Sequence, residues 1–181
     1  DLGSGPAVAL VHGVAFGPSA FAAVARDLAR DRRVILVHRR GYGRSPAAAG
    51  ENRPEDQAAE IVALLDRLGL ERVTALGVSG GATVLTAMAI AAPGRLEGVV
   101  LHEPALGPLA PGVHALIGGL GRAVAAAASD AAGAEVVAAA LAGPGTWGAL
   151  GAAGRAEARR AARTVCREVP WFARFAPTPA E

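Results

Sequence analysis

Short apolar segments alternate with helical segments through the first part of this chain. The pattern predicts strands at residues 7–11, 33–37, 73–76 and 98–101. It predicts helices at residues 19–30, with Ser19 as N-cap, and at 54–68 and 82–92. Parallel strands need a crossover between them, and a helix is the usual one. The alternation therefore predicts an α/β fold in which a parallel sheet is flanked by helices.

The second part of the chain has a different pattern. Apolar residues between positions 113 and 124 recur at helical spacing, and helical segments follow at residues 135–141 and 155–169. No strand is expected after residue 107. We interpret residues 1–106 as the α/β core and residues 107–181 as a helical region. Four aromatic residues of that region are expected to pack the helices together or to line a pocket: Trp147, Trp171, Phe172 and Phe175.

The composition is that of a globular protein, and it argues against several functions. A chain of 181 residues, 52% of them hydrophobic, can bury one sizeable core. Its 18 basic residues are all arginine and are nearly balanced by 16 acidic ones, so nucleic-acid binding is not expected. An arginine cluster between positions 155 and 167 has helical spacing and predicts a solvated helix face.

Membrane insertion and secretion are not expected either. The uncharged stretch at residues 73–94 is long enough to span a membrane, but its glycines and its final Pro-Gly predict a strand, a turn and a helix. The polar first residues do not resemble a signal peptide. Cys166 is the only cysteine, so no disulfide forms within the chain, and we expect a cytoplasmic protein.

The segment Gly77-Val78-Ser79-Gly80-Gly81 joins a predicted strand to a predicted helix. A G-x-S-x-G segment in this position describes a sharp turn that raises a serine hydroxyl above the edge of the sheet, with glycines where side chains would collide. Such a pentapeptide alone is weak evidence in a chain with 24 glycines. Its position between strand and helix predicts that Ser79 is a nucleophile.

A second segment, His12-Gly13-Val14, follows the first predicted strand. Attack on a carbonyl builds negative charge on oxygen, which needs two N–H donors, one after the nucleophile and one from an earlier strand-end loop. The predicted donors are the backbone N–H groups of Gly80 and Val14. His12 is expected to hold this loop rather than to transfer protons.

Four stretches of the chain resemble the α/β-hydrolase superfamily, in the order and approximate spacing typical of it. They are V-A-L-V-H-G at residues 8–13, H-R-R-G-Y-G-R-S at 38–45, L-G-V-S-G-G-A at 76–82 and V-V-L-H-E-P-A-L at 99–106. The resemblance implies that residues 107–181 form a helical cap over the active site. His38 is a departure, because members of the family usually carry Asp there in a supporting role.

The resemblance also implies that a catalytic acid and a histidine follow the nucleophile. Only His102 and His114 come after Ser79, and the first and last strands of the family have no counterpart, so we interpret the chain as a fragment. Glu103 matches an alternative acid of some relatives and is a candidate supporting acid. Alternation along a strand directs His102 and Glu103 to opposite faces, which argues against their acting together.

The sequence thus predicts a serine-type hydrolase that attacks an ester or related acyl substrate through Ser79, with the triad completed beyond Glu181. The expected partner is a small molecule, and no cofactor, metal, nucleic acid or membrane is called for. The resemblance implies that a dehalogenase or an epoxide hydrolase would carry Asp at position 79. Ser79 therefore argues against both of these classes. The alternative is a non-catalytic chain, truncated or ligand-binding. Nucleotide binding fits poorly, because the Gly-rich turn lacks a lysine. The oligomeric state is left open.

Overall fold

The computed structural model describes residues 1–47 and 50–177. Its strands form one parallel sheet in the order β2-β1-β3-β4. Their bounds are β1 Ala7–Val11, β2 Arg33–Val37, β3 Val73–Val78 and β4 Leu96–His102. The predicted α/β class with a parallel sheet is confirmed.

The register of the sheet brings the carboxyl ends of β1, β3 and β4 to one edge. Val11 pairs with Gly77, and Gly77 pairs with Leu101. The loop after β1 therefore lies beside the turn after β3, and the loop after β4 lies on the other side of that turn. In parallel sheets this edge is where ligands bind.

Helices cover both faces of the sheet. Helix α1 (Ala22–Leu28) packs on the face that carries Leu10 and Val34, whereas α2 (Pro54–Arg67) and α3 (Gly80–Ala91) pack on the opposite face. This division follows from the alternation of side chains along each strand. Both faces of β1 and β2 are consequently buried, as in other parallel sheets covered by helices.

The structure corrects the predicted start of the first helix. Ser19 is not an N-cap, because Pro18–Phe21 forms a 3₁₀ turn that precedes α1. The Ser19 hydroxyl instead donates hydrogen bonds to the carbonyl oxygen of Phe16 and to the carboxylate of Glu157. A contact with a distant helix has replaced the local capping bond.

Strand β4 is an edge strand within the described residues, since β3 is its only partner there. Three of its apolar side chains are partly exposed, and Val100 retains 53% of its accessible surface. Apolar side chains of adjacent positions point to opposite faces. Both faces of the sheet are therefore poorly covered at β4.

Four α-helices follow β4 in the described residues. No strand occurs in the described residues after position 107, as predicted. They are α4 Pro111–Ala125, α5 Asp130–Ala142, α6 Thr146–Ala149 and α7 Ala152–Arg174. Helix α7 is longer than predicted and contains Pro170. Helices α4, α5 and α7 pack against one another. The division of the chain at residue 107 into two structural units stays a prediction.

The charged and apolar surfaces agree with the sequence analysis. Four of the five arginines between positions 155 and 167 are exposed on α7, as expected for a solvated helix face. No helix among the described residues is both long and apolar enough to cross a membrane. The uncharged stretch at residues 73–94 forms β3, a turn and α3, as predicted.

Candidate active site

Ser79 lies at the sharp turn between β3 and α3. Its backbone has φ 52° and ψ −120°, a conformation that non-glycine residues rarely adopt. The flanking glycines make the turn sterically feasible: a Cβ at Gly77 would lie 2.8 Å from the backbone nitrogen of Ala82, and one at Gly81 would lie 2.1 Å from the carbonyl oxygen of Val11. Backbone strain of this kind concentrates at functional sites.

The loop after β1 passes directly beside Ser79. A Cβ at Gly13 would lie only 3.2 Å from the Cβ of Ser79. The next residues form a tight turn in which the Phe16 N–H donates to the carbonyl oxygen of Val14 at 3.1 Å, with Ala15 at φ 78°. The loop is therefore held in a specific, strained conformation against the serine.

The structure brings all four predicted site residues to one cavity of about 490 Å³. Val14 comes from the loop after β1, Ser79 and Gly80 come from the turn before α3, and Glu103 follows β4. Gly80 is the first residue of α3, so its N–H has no partner in the preceding turn of a helix. The arrangement places Val14, Ser79 and Gly80 around a single space.

Apolar side chains of the C-terminal helices form the opposite wall of this cavity. They are Val113, Leu116, Ile117 and Leu120 of α4, Leu141 of α5, and Val169 and Phe172 of α7. Of the four aromatic residues singled out in the sequence, Phe172 lines the cavity. Trp171 instead stacks under the guanidinium of Arg53, whose Cζ lies 4.2 Å from the centroid of the Trp171 ring. The cavity can accept an apolar group next to Ser79.

A second cavity, of about 400 Å³, also borders Ser79. It is lined by the loop after β1, including Phe16, and by Phe21. Val14, Ser79, Glu103 and Leu141 border both cavities. The serine therefore stands between two spaces, each large enough for a substituent of a bound carbonyl compound.

Glu103 is exposed and has φ 49°, another backbone angle that favours glycine. The loop that carries it is tied to α3, because the Ala105 N–H donates to the Thr83 hydroxyl at 2.8 Å. The Ser79 N–H in turn donates to the carbonyl oxygen of His102 at 2.8 Å. Glu103 thus borders the same space as the serine, but it makes no direct hydrogen bond to the Ser79 hydroxyl.

No histidine of the described residues makes a hydrogen bond to the Ser79 hydroxyl. His12 is buried, and its Nδ1 donates to the carbonyl oxygen of Gly13 at 2.8 Å. Burial, and then the charge of Arg39, holds the pKa of His12 well below its usual value, so the ring is neutral near pH 7. His102 and His114 are exposed and line neither cavity, and His114 ties α4 to the carbonyl oxygen of Ala173.

His38, which replaces the family's usual Asp, bonds within its own loop. Its Nδ1 accepts a hydrogen bond from the Arg44 N–H at 3.0 Å, and its carbonyl oxygen accepts one from the Ser45 hydroxyl at 2.6 Å. Burial lowers the pKa of His38, and the charge of Arg44 lowers it further. The neutral imidazole can therefore accept the backbone hydrogen bond that an Asp carboxylate would accept.

The sequence analysis missed a buried polar network beside the site. Arg39 and Glu168 form an ion pair with Nη1 and Oε2 2.8 Å apart, and their side chains are 1% and 0% exposed. The Tyr42 hydroxyl and the Asn52 amide also donate to Glu168, and Gln57 accepts from Arg39. Burial lowers the pKa of Arg39, but Glu168 and Tyr42 together outweigh this effect and leave the pKa raised.

One signal in the sequence could have identified Glu168 as a buried carboxylate. It lies at helical spacing from Ala161, Val165 and Phe172, which form the buried stripe of α7. A carboxylate on such a stripe needs a buried cationic partner. The sequence does not say which of 18 arginines supplies it.

Two other groups of residues bear on the chemistry. Burial raises the pKa of the Cys166 thiol, which lines neither cavity beside Ser79. Within residues 1–47 and 50–177, no three side chains of His, Cys, Asp or Glu are grouped so that they could hold a metal ion.

Comparisons with known proteins identify relatives of this chain. It is 38% identical over 117 residues to 2-hydroxy-6-oxononadienedioate/2-hydroxy-6-oxononatrienedioate hydrolase 2 of Pseudomonas putida, an alignment that covers 61% of this chain and 41% of that protein. It is 31% identical over 93 residues to esterase YbfF of Escherichia coli, and that alignment covers 51% of this chain and 36% of the esterase. The chain thus spans less than half of the length of these curated relatives.

A thermophilic esterase from Thermogutta terrifontis shares the fold. Its structure matches with a TM-score of 0.76 at 23% identity, over 97% of this chain and 66% of that one. A sequence model for the alpha/beta hydrolase fold matches residues 6–147, which include the loop after β1, the serine turn and helices α4 and α5. The resemblance drawn from the four motifs is confirmed, and the chain belongs to the α/β-hydrolase family.

Proposed function

We propose that the protein is a serine hydrolase that cleaves an ester or related acyl compound, with Ser79 as nucleophile. The observation that carries the proposal is the strained Ser79 backbone, φ 52°, at a turn that borders two cavities. Relatives named as hydrolases and an esterase support the same reaction class.

The proposed reaction proceeds in two steps. The Ser79 Oγ attacks the carbonyl carbon while a base takes the hydroxyl proton, and the N–H groups of Val14 and Gly80 bind the developing oxyanion. The tetrahedral intermediate collapses to an acyl-enzyme as the proton passes to the leaving alcohol. Water then attacks the acyl carbon by the same route and releases the acid. The helices α4, α5 and α7 act as the cap of this site.

The base and its orienting acid are proposed to lie in a part of the full-length protein beyond Glu181. Of the histidines in the described residues, His12 lines the second cavity but its Nδ1 is bonded to the carbonyl oxygen of Gly13, whereas His102 and His114 line neither cavity. Within the described residues, strand β4 pairs only with β3. Glu103, which borders both cavities, is the candidate supporting acid.

The test replaces Ser79 by Ala in the full-length protein and measures hydrolysis of p-nitrophenyl butyrate. We expect kcat/KM to fall by about 10³-fold or more with the fold intact, because attack at the acyl carbon is lost. Ser4→Ala, at an exposed serine far from the site, is the matched control and is expected to retain activity. Equal turnover by the Ser79→Ala protein and the wild type contradicts the proposal.

The second candidate function is ligand binding without turnover. It is favoured by one observation, that no histidine of the described residues makes a hydrogen bond to the Ser79 hydroxyl. A fluorophosphonate separates the two candidates, since covalent labelling requires an activated serine. Labelling of the full-length protein at Ser79 supports the hydrolase, and its absence together with retained ligand binding supports the alternative.

A further inference from the structure

The buried ion pair between Arg39 and Glu168 joins the loop after β2 to helix α7. Glu168 belongs to α7, 129 residues along the chain from Arg39. Taking two charges out of water is costly, and a buried pair is often no more stable than well-packed apolar side chains. Stability alone therefore does not account for this pair, and the other bonds of Arg39 indicate what it does.

Arg39 also donates to two consecutive carbonyl groups of the loop after β1. Its Nε donates to His12 at 3.0 Å and its Nη2 donates to Gly13 at 2.8 Å. The planar guanidinium presents its N–H groups in a fixed fork, so both carbonyls are held in one geometry. The two peptide groups on either side of Gly13 are consequently fixed in direction.

The second of these peptide groups carries the proposed oxyanion donor. A trans peptide is planar, and its C=O and N–H point in opposite directions. The carbonyl of Gly13 and the N–H of Val14 belong to one such unit, and no cis peptide occurs among the described residues. By holding the Gly13 oxygen, Arg39 sets the direction of the Val14 N–H on the far side. Its positive charge also polarises that peptide and strengthens the donor.

Glu168 holds Arg39 in turn. Its carboxylate binds the guanidinium and accepts further hydrogen bonds from Tyr42 and from the Asn52 amide, the latter at 3.2 Å. Gln57 accepts from the same Arg39 nitrogen as Glu168, at 2.7 Å. Arg39 therefore reaches both carbonyls from a position that depends on the docking of α7 against the core.

We propose that Arg39 is a positioning residue for the oxyanion hole, and that Glu168 couples the hole to helix α7. The inference rests on the proposed function, because it concerns the donor that Val14 would supply. Its consequence is that the hole is competent only while α7 is docked. Neither residue touches the substrate space, since neither lines the two cavities beside Ser79.

The experiment measures two substitutions in the full-length protein, Arg39→Lys and Glu168→Gln. Lysine keeps the charge but is a single point donor that cannot hold both carbonyls and the carboxylate. Glutamine keeps the shape of Glu168 and removes its charge. Arg40→Lys is the matched control, because Arg40 is the neighbouring arginine and pairs with Glu60 at the surface, 2.7 Å away.

The readouts are kcat and KM for p-nitrophenyl butyrate and the affinity for butylboronic acid, measured well below each variant's melting temperature. The boronate becomes a tetrahedral anion on the serine, so its affinity reports the oxyanion hole. Loss of a whole oxyanion donor lowers kcat by about 10²–10³-fold. For Arg39→Lys, which misdirects the donor, we expect kcat and boronate affinity to fall together by about 10–10²-fold with KM little changed. Glu168→Gln is expected to show the same pattern more weakly, and Arg40→Lys no change.

The outcomes separate the inference from the proposed function. Lower melting temperatures for Arg39→Lys and Glu168→Gln with unchanged kcat and boronate affinity would show that the pair is only structural, which overturns the inference. If Arg39→Lys does not fold, Glu168→Gln decides by the same criteria. A wild-type protein that neither hydrolyses the ester beyond the Ser79→Ala level nor binds the boronate refutes the proposed function, and the inference with it.

Discussion

Replacing Gly81 by Ala perturbs the contact that holds the serine turn against the end of β1. A Cβ at this position would lie 2.1 Å from the carbonyl oxygen of Val11 and 2.5 Å from that of His12. Ordinary close contacts between carbon and a carbonyl oxygen are about 3.3 Å. Both neighbours are backbone atoms and cannot rotate away, so α3 and the end of β1 have to separate by about 1 Å.

The size of the effect follows from two opposing contributions. Alanine is favoured over glycine within a helix by about 1 kcal/mol. Overpacking costs about 1–3 kcal/mol, and contact with two rigid carbonyl groups puts this site at the upper end or beyond. We expect a net loss of about 2 kcal/mol in the free energy of unfolding. Under the proposed function, separation of Val14 from Gly80 by about 1 Å also lowers kcat by about 10²-fold.

The assay is urea unfolding, with ester hydrolysis measured in parallel, and Gly119→Ala is the matched control. Gly119 also lies inside a helix, α4, but a Cβ there would meet nothing within 4 Å. Its replacement is expected to stabilise the protein by about 0.5–1 kcal/mol. A Gly81→Ala protein as stable as wild type, or two variants that change alike, would refute the steric reasoning.

Two further predictions concern pH and the size of the substrate. The pKa of His38 is lowered by burial and by Arg44, against the opposing effect of Glu157. As the pH falls, the unfolded chain therefore binds the proton before the folded protein does. The contribution of His38 to stability is complete above its unfolded pKa of about 6.5, and it is lost as the pH falls from there to the lower pKa of the folded protein. His38→Asn, which can accept the same hydrogen bond without titrating, should lose less stability between pH 7 and 5 in urea unfolding, and an unchanged pH profile would contradict this. Ile117→Trp fills part of the cavity of about 490 Å³, so p-nitrophenyl decanoate should be hydrolysed more slowly while the acetate is little affected. Leu109→Trp, at a side chain 63% exposed and outside both cavities, is the control, and equal effects on both esters would argue against this assignment.

The sheet could be predicted from sequence because its signals are local. Strands β1 and β2 have the predicted bounds, since each apolar run is bracketed by polar or turn-forming residues. Strand β3 continues two residues past the predicted end, because the backbone stays extended up to the turn at Ser79. The positions of Val14, Ser79, Gly80 and Glu103 around one cavity follow from the same parallel register.

Tertiary contacts decided the features that the sequence did not reveal. The hydroxyl of Ser19 bonds to Glu157, so the residue does not cap α1. Helix α7 continues past Pro170, which lies inside the helix rather than at its end. Its packing against α4 and α5 compensates for the hydrogen bond that proline cannot make. Local propensity gave the wrong boundary in both places because a distant partner outweighed it.

Arg39 and Glu168 show why the candidate site divides into a predictable and an unpredictable part. The serine turn depends on glycines adjacent to Ser79 in the chain, so a short motif is enough to locate it. The direction of the Val14 N–H depends instead on a carboxylate far along the chain, through an arginine that binds two carbonyls. Apolar side chains could fill the same volume at lower desolvation cost, but they could not orient a peptide group. We therefore infer that the buried pair is retained because it orients the Val14 N–H, which apolar packing alone would not do.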